Sequence, residues 1–310
     1  MYSSIGKAIK APQELIKAPD KTASLQQNGL SVITFCLHTQ GRKGSYFLKD
    51  HLLLYVKSGT YRVRFRDREY TVRSNEMIFI HKSTLIEYDK SGEASSDYML
   101  DYMMFFLNEK LLEEFVQFAG VKPIYPVSDV APVTIIAVND LTRTYFESLQ
   151  PYFNQPSQVS DGLVKIKLME LLFHLTNSNE HFLYQLLQPG SNGNDNISRI
   201  MEENFTNPVS LQDLAYLSGR SLSTFKREFQ ATYHTSPLKW IRNRRLDKAE
   251  RLLLETALSV TDVCYAAGFE NITHFSKVFK LRLGLSPSEF RQKSKFTEDE
   301  VKLELNEQTK

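Results

Sequence analysis

The last third of the chain repeats one pattern of apolar and polar positions about fifty residues apart. The first copy, LQDLAYLSGRSLSTFKREF, runs from Leu211 to Phe229; the second, VTDVCYAAGFENITHFSKVF, runs from Val260 to Phe279. Each predicts a first helix with a small residue on its inner face, Ala215 or Cys264, and a glycine at the break, Gly219 or Gly268. The second helix carries two aromatics four apart, Phe225 and Phe229, then Phe275 and Phe279. Residues at that spacing share one helical face. The Phe pairs therefore point inward, and the polar residues between them point out. Two such units suit a protein that reads successive faces of a DNA groove.

The surrounding signals complete an all-α segment. A helix is expected over ISRIMEENF from Asn196, ending before Pro208. Ser210 with Asp213, and Ser259 with Asp262, have capping-box spacing. Gly219 supplies a left-handed turn. The second helix of the first unit starts near Ser221 or Ser223 and presents Ser223, Thr224, Lys226 and Arg227 outward. Short hydroxyls and long cations are the chemistry that reads base edges or grips phosphates. In the second unit the helix starts at Asn271 or Ile272, with Asn271 either outward-facing or the cap; Thr273, His274 and Lys277 face out. Ser236-Pro237 opens a long helix from about Leu238 to Leu254, with Trp240, Ile241, Ala249, Leu252 and Leu253 inward. Arg242, Arg244, Arg245 and Lys248 crowd its other side, Arg245 among the candidate DNA contacts. Such a helix holds two reading units at fixed separation, as successive major grooves about 34 Å apart require. Ser286-Pro287 starts a last helix.

The first half has a different period. GLSVITFCLH, HLLLYVKSGTYRVRF and REYTVRSNEMIFIHK read as strands, and Tyr61 to Phe65 alternates apolar with basic residues, the mark of a strand buried on one face. A hairpin is expected at Lys57 to Thr60 and a second turn at Asp67-Arg68. Short strands without intervening helices predict an antiparallel β-barrel, a cupin-like jelly roll, over about residues 25–105. Helices follow over about residues 108–188: Glu109 to Ala119 capped by Asn108, one over residues 131–153, a wide apolar stripe from Gly162 to Thr176, and a short one from His181 to Gln188. The loop-forming stretch QPGSNGNDN, 188–196, separates domains 1–190 and 191–293. An acidic tail occupies 294–310.

Composition narrows the function. The 310 residues are 42% hydrophobic, enough for two packed cores. Net charge is +2, but its distribution is uneven: residues 195–293 hold 15 Lys/Arg against 11 Asp/Glu, while residues 1–194 hold 20 of each. That basic excess agrees with phosphate contacts. Cys36 and Cys264 lie far apart in apolar contexts and read as small buried hydrophobes. No apolar run is long enough to span a membrane and no signal peptide opens the chain, so a cytoplasmic protein is expected. His38, His51 and His81 lack a close HxH pair; no metal, cofactor or catalytic residue is expected.

Three pieces now carry a resemblance: LxxLAxxSGxSxSxFxREF, RRLDKAERLLL, and SVTDVCYAAGFENITHFSKVFKLRLGLSPSEFR. Together, over about residues 197–292, they closely resemble the arabinose-regulator/xylose-regulator family of bacterial transcription factors. The resemblance implies double-stranded DNA and RNA polymerase as partners, and reading positions at Ser223, Thr224, Arg227, Thr273, His274 and Lys277. Ser223 is smaller than the side chain many members carry there. The stretch LLLYVKSGTYRVRFRDREYTVRSNEMIFIHK resembles the family's sensory module more weakly, with Ser74-Asn75 where proline-glycine is usual. It implies a cupin-like barrel able to enclose a small effector, followed by helices that dimerise.

Tyr46, Tyr55, Tyr61, Phe65, Phe79 and His81 are the pocket residues expected for such an effector, at least partly apolar. A homodimer is expected through the helix Gly162–Thr176, whose apolar positions exceed one face. A protein partner in place of the small effector is the alternative, and a cupin-type enzyme the remote one.

Overall fold

The computed structural model describes residues 8–15, 21–28, 30–38, 41–66, 68–90, 99–120, 131–178, 182, 186 and 193–293. Apart from residues 217–219, the chain divides into two compact units at residues 192–193. The first is built on strands β1 (Ile9–Ala11), β2 (Lys21–Gln27), β3 (Leu30–His38), β4 (Lys43–Leu48), β5 (His51–Ser58), β6 (Tyr61–Phe65), β7 (Arg68–Val72), β8 (Glu76–Ile80), β9 (Thr84–Asp89), β10 (Leu100–Leu107) and β11 (Val133–Ala137). Helices α1 (Glu109–Ala119), α2 (Asp140–Ser148) and α3 (Asp161–Ser178) complete it.

The strands form two sheets, ordered β1-β4-β9-β6-β7 and β11-β8-β5-β10-β3-β2. All pairs are antiparallel except β1 with β4. The barrel is therefore open, two facing sheets rather than a closed cylinder. The strand region also begins earlier than expected, at β1, and extends past residue 105 to β11.

Strand β5 is buried from His51 through Val56 because both of its faces are covered. Leu52, Leu54 and Val56 join the core between the sheets. Leu53 and Tyr55 face the other way, into a second core with α1, α2 and α3. This explains why the sequence runs apolar there instead of alternating. In β6 the alternation survives: Tyr61, Val63 and Phe65 are buried, Arg62 is half-buried and Arg64 exposed.

Two expected connections are corrected. Lys57 to Thr60 is not a hairpin: β5 pairs with β8 and β10, and β6 with β7 and β9, so this turn passes the chain from one sheet to the other. Gly59 adopts φ +90° there, against the backbone of Met99. Residues 131–153 are not one helix. Val133 to Ile136 are β-branched, the strand through Ala137 pairs with β8, and Asn139 then caps α2 by accepting from the Thr142 N–H at 2.8 Å. The cap is the signal that divides the stretch. At Ser74-Asn75 the sequence reading holds: Asn75 takes φ 63°, and its N–H donates to the Val56 carbonyl.

The second unit comprises α4 (Gly193–Asn204), α5 (Leu211–Leu217), α6 (Leu222–Tyr233), α7 (Pro237–Glu255), α8 (Val260–Ala266) and α9 (Ile272–Leu283), then a helix over 287–293. Helix α4 starts at Gly193, inside the stretch read as loop; its buried Ile197, Ile200 and Met201 override the poor helix propensity of Gly-Asn-Asp-Asn. Of the helix expected over His181–Gln188 only Phe182 and Leu186 are described, both helical and buried. The 294–310 tail lies outside the described residues. Among the described residues no helix is long and apolar enough to cross a membrane.

Candidate nucleic-acid interface

Each reading helix is set by a cap in front and a Phe pair beneath. Ser221 caps α6, its side chain accepting from the Thr224 N–H at 3.2 Å. Asn271 caps α9, accepting from the His274 N–H at 2.9 Å. Phe225, Phe229, Phe275 and Phe279 are fully buried. Helix α5 uses the expected capping box: the Asp213 N–H donates to Ser210 and the Ser210 N–H donates to the Asp213 carboxylate. Ser259 likewise accepts from the Asp262 N–H at 3.1 Å. Ala215 and Cys264 are buried beneath the turns, and burial raises the Cys264 thiol pKa.

Gly219 and Gly268 both take left-handed φ, 70° and 94°. At Gly268 a side chain is excluded twice over, since a Cβ would lie 2.7 Å from the Thr206 backbone. The turns differ by one residue. The cap falls two positions after Gly219 but three after Gly268, so Ser223 corresponds to Thr273, Thr224 to His274 and Arg227 to Lys277.

The outward face of α6 carries exposed Ser223, Lys226 and Arg227, with Thr224 half-buried. The Thr224 hydroxyl accepts from the Ser221 hydroxyl at 2.9 Å. On α9, Thr273, His274 and Lys277 are exposed, as is the cap Asn271. The side-chain amide oxygen of Asn271 is occupied by capping, which leaves its amide donors.

Arg245 differs from the outward cation the sequence suggested. Its Nε–H donates to the Phe205 carbonyl at 2.5 Å and Nη2 to the Asn207 carbonyl at 3.1 Å. Burial pulls its pKa down. Arg244 beside it bonds Glu202 at 2.7 Å and lies 5.6 Å from the Trp240 ring centre. Both bind α7 to the end of α4. Lys239, Arg242 and Arg251 are the exposed cations of α7. Sequence spacing could not separate these roles, because the carbonyls Arg245 serves lie about forty residues away.

The six residues named for an effector pocket do not share one compartment. Tyr46, Tyr61 and Phe65 lie between the sheets, whereas Tyr55 and Phe79 lie on the helix side. Tyr55 stacks on Phe146 at 4.1 Å, and His81 meets Phe79 and His51 edge-on. A period-two strand sends adjacent residues to opposite faces, and here both faces are buried. A cavity of about 220 Å³ lies on the helix side, lined by Met77, Ile136, Leu175 and Phe182, with Asn139 and Thr142 as polar members. None of the six named residues lines it.

Lys90 was missed by sequence reading. It is 3% exposed, and its ammonium donates to the Tyr46 hydroxyl at 3.0 Å among tyrosine rings from both sheets. A lone lysine after a strand gives no sequence signal of burial.

Two capped reading helices joined by a long helix, in a chain that also folds a separate sheet-based unit, define a two-headed helix-turn-helix architecture. The family described as "Helix-turn-helix domain" matches residues 214–293, and the one described as "ExsA N-terminal regulatory domain" matches residues 51–185. The chain carries a helix-turn-helix domain of the arabinose-regulator/xylose-regulator type together with an ExsA-type N-terminal regulatory domain. It is 34% identical over 162 residues to the virulence regulon transcriptional activator VirF of Yersinia enterocolitica, covering 52% of this chain and 59% of that relative. The chain thus spans about three-fifths of that relative's length. It is 23% identical over 265 residues to the HTH-type transcriptional regulator ExsA of Pseudomonas aeruginosa, covering 84% of this chain and 90% of that one. A structure of apo ToxT from Vibrio cholerae strain SCE256 aligns with a TM-score of 0.43 and 13% identity, covering 86% and 98% of the two chains.

Proposed function

We propose that this protein is a sequence-specific DNA-binding transcriptional regulator in the cytoplasm, with RNA polymerase as a partner. The observation that carries the reading is the pair of N-capped helices α6 and α9. Each turns at least one hydroxyl and one cation outward from a fully buried Phe pair. Ser223, Thr224, Arg227, Thr273, His274 and Lys277 make base or phosphate contacts, with Lys226 and Asn271 at their margins. Arg245 ties α7 to the segment after α4. Selection of duplexes from a random pool by the full chain is the test. Enrichment of a two-part site supports the reading; recovery of unselected sequence opposes it.

Residues 1–190 form the sensing and dimerising part. Phe118 and Ile166 are 76% and 63% exposed, and Met169 and Phe173 continue the same apolar strip across α1 and α3. A second copy covers it. A small effector is the first candidate input. Control by a protein partner is the second reading, favoured by the Lys90 side chain occupying the aromatic space between the sheets.

A further inference from the structure

The regulatory unit buries a charge among aromatic rings. The Lys90 ammonium lies 4.8 Å from the ring centre of Tyr88, 5.1 Å from Tyr102, 5.6 Å from Tyr46 and 6.0 Å from Tyr61. Tyr46, Tyr61 and Tyr88 come from β4, β6 and β9 of one sheet, and Tyr102 from β10 of the other. The rings brace each other: Tyr46 stacks on Tyr88 at 4.4 Å and Tyr61 meets Tyr102 edge-on at 5.1 Å. Gly44 makes room for the wall, since a Cβ there would come within 2.5 Å of the Tyr88 hydroxyl. The Lys90 N–H donates to the Arg42 carbonyl at 2.7 Å, which pins the backbone from which the side chain enters.

Burying an ammonium is costly unless the site supplies electrostatic compensation. Ring faces do so through their quadrupoles, and desolvated sites gain most. Burial raises the pKa of Tyr46 and Tyr102, so these phenols stay neutral and act as rings and dipoles. Rings converging on one cation are the recognition chemistry of organic ammonium compounds.

We propose that the space between the two sheets is an organic-ammonium site, and that Lys90 is its resident, tethered occupant. Attachment to the chain gives Lys90 an effective concentration on the order of millimolar or above. Free primary amines at lower concentration then do not displace it. This deepens the effector reading above: a ligand for this compartment must be a cation that competes with Lys90.

Chemical complementation tests it on the full chain without DNA, so failure of the DNA reading does not affect the result. Lys90→Ala empties the cage, and Lys90→Met keeps its length without charge. Thermal unfolding is followed with n-butylammonium or its neutral counterpart n-butanol, each at about 10–50 mM, above the tethered concentration scale. The expected result is that n-butylammonium raises the Lys90→Ala transition by several degrees through mass action. The alcohol does not, and the native protein, whose site Lys90 already fills, responds to the amine less than Lys90→Ala does. Lys90→Met should unfold below the native protein. Equal effects of amine and alcohol on Lys90→Ala, no effect of either, or a Lys90→Met protein as stable as the native one would overturn the proposal.

Discussion

Arg245 on the long helix α7 hydrogen-bonds the carbonyl of Phe205 at the end of α4, across forty residues of chain. Its second bond, to the Asn207 carbonyl, brackets Thr206. Thr206 is the residue whose backbone packs on Gly268 in the turn of the second reading unit. The short segment 205–207 therefore ties the joining helix to the turn that aims α9.

Replacing Arg245 by Ala should destabilise the helical unit by about 1.5–3 kcal/mol, the usual worth of hydrogen bonds to a charged donor. Urea unfolding followed by the fluorescence of Trp240 is the check. The salt dependence of DNA binding should stay as in the native protein, because Nε and Nη2 of Arg245 already donate to backbone carbonyls. A slope reduced by one contact would return it to the interface.

Phe275 is fully buried beneath α9. Phe275→Ala should cost roughly 3–5 kcal/mol through lost burial and an unfilled cavity. Calorimetry of the full chain should show the helical unit melting earlier. An unshifted transition would contradict the packing described.

The two units end their reading helices differently. Gly284 closes α9 at φ 79°, but His234 closes α6 at φ 50°, where a side chain strains the backbone. His234→Gly should stabilise the unit by about 1 kcal/mol, less the entropy glycine adds to the unfolded chain. A lower unfolding midpoint for the variant would show that the His234 side chain contributes more than the strain it carries.

A charge placed on the apolar strip should separate subunits without disturbing the core. Phe118→Asp and Ile166→Asp both alter side chains exposed in the single chain. Sedimentation of the native protein should show a dimer, and the double variant a monomer with an unchanged unfolding temperature. A native protein that sediments as a monomer at tens of micromolar would end the assignment.

The helical unit was legible because its signals are local. Ser221, Ser259 and Asn271 act on N–H groups three residues away, and the Phe pairs sit four apart. The sheet unit was legible only in its strands. Which sheet takes β5 and which takes β6 is decided by pairings with β8, β9 and β10, and no turn residue encodes them. The expected pocket residues divide between two cores for a related reason. Tyr55 and Tyr61 look alike in sequence, but their strands turn them into different cores. Among the candidate DNA contacts, Arg245 donates to backbone carbonyls of a distant segment, acceptors that spacing along its own helix cannot reveal.

The most direct test of the central claim compares Arg227→Ala with Lys277→Ala on duplexes selected by the native protein. Binding is followed by fluorescence anisotropy across salt concentrations and single-base changes. Each substitution should weaken binding. For a phosphate contact, the magnitude of the log–log salt slope should fall by about 0.9; for a base contact, about 1–3 kcal/mol of discrimination should be lost. The affected bases should form two separate blocks about one helical turn apart, one for each residue. Unchanged binding for both variants, or the same block affected by both, would contradict a protein that reads DNA with α6 and α9 together.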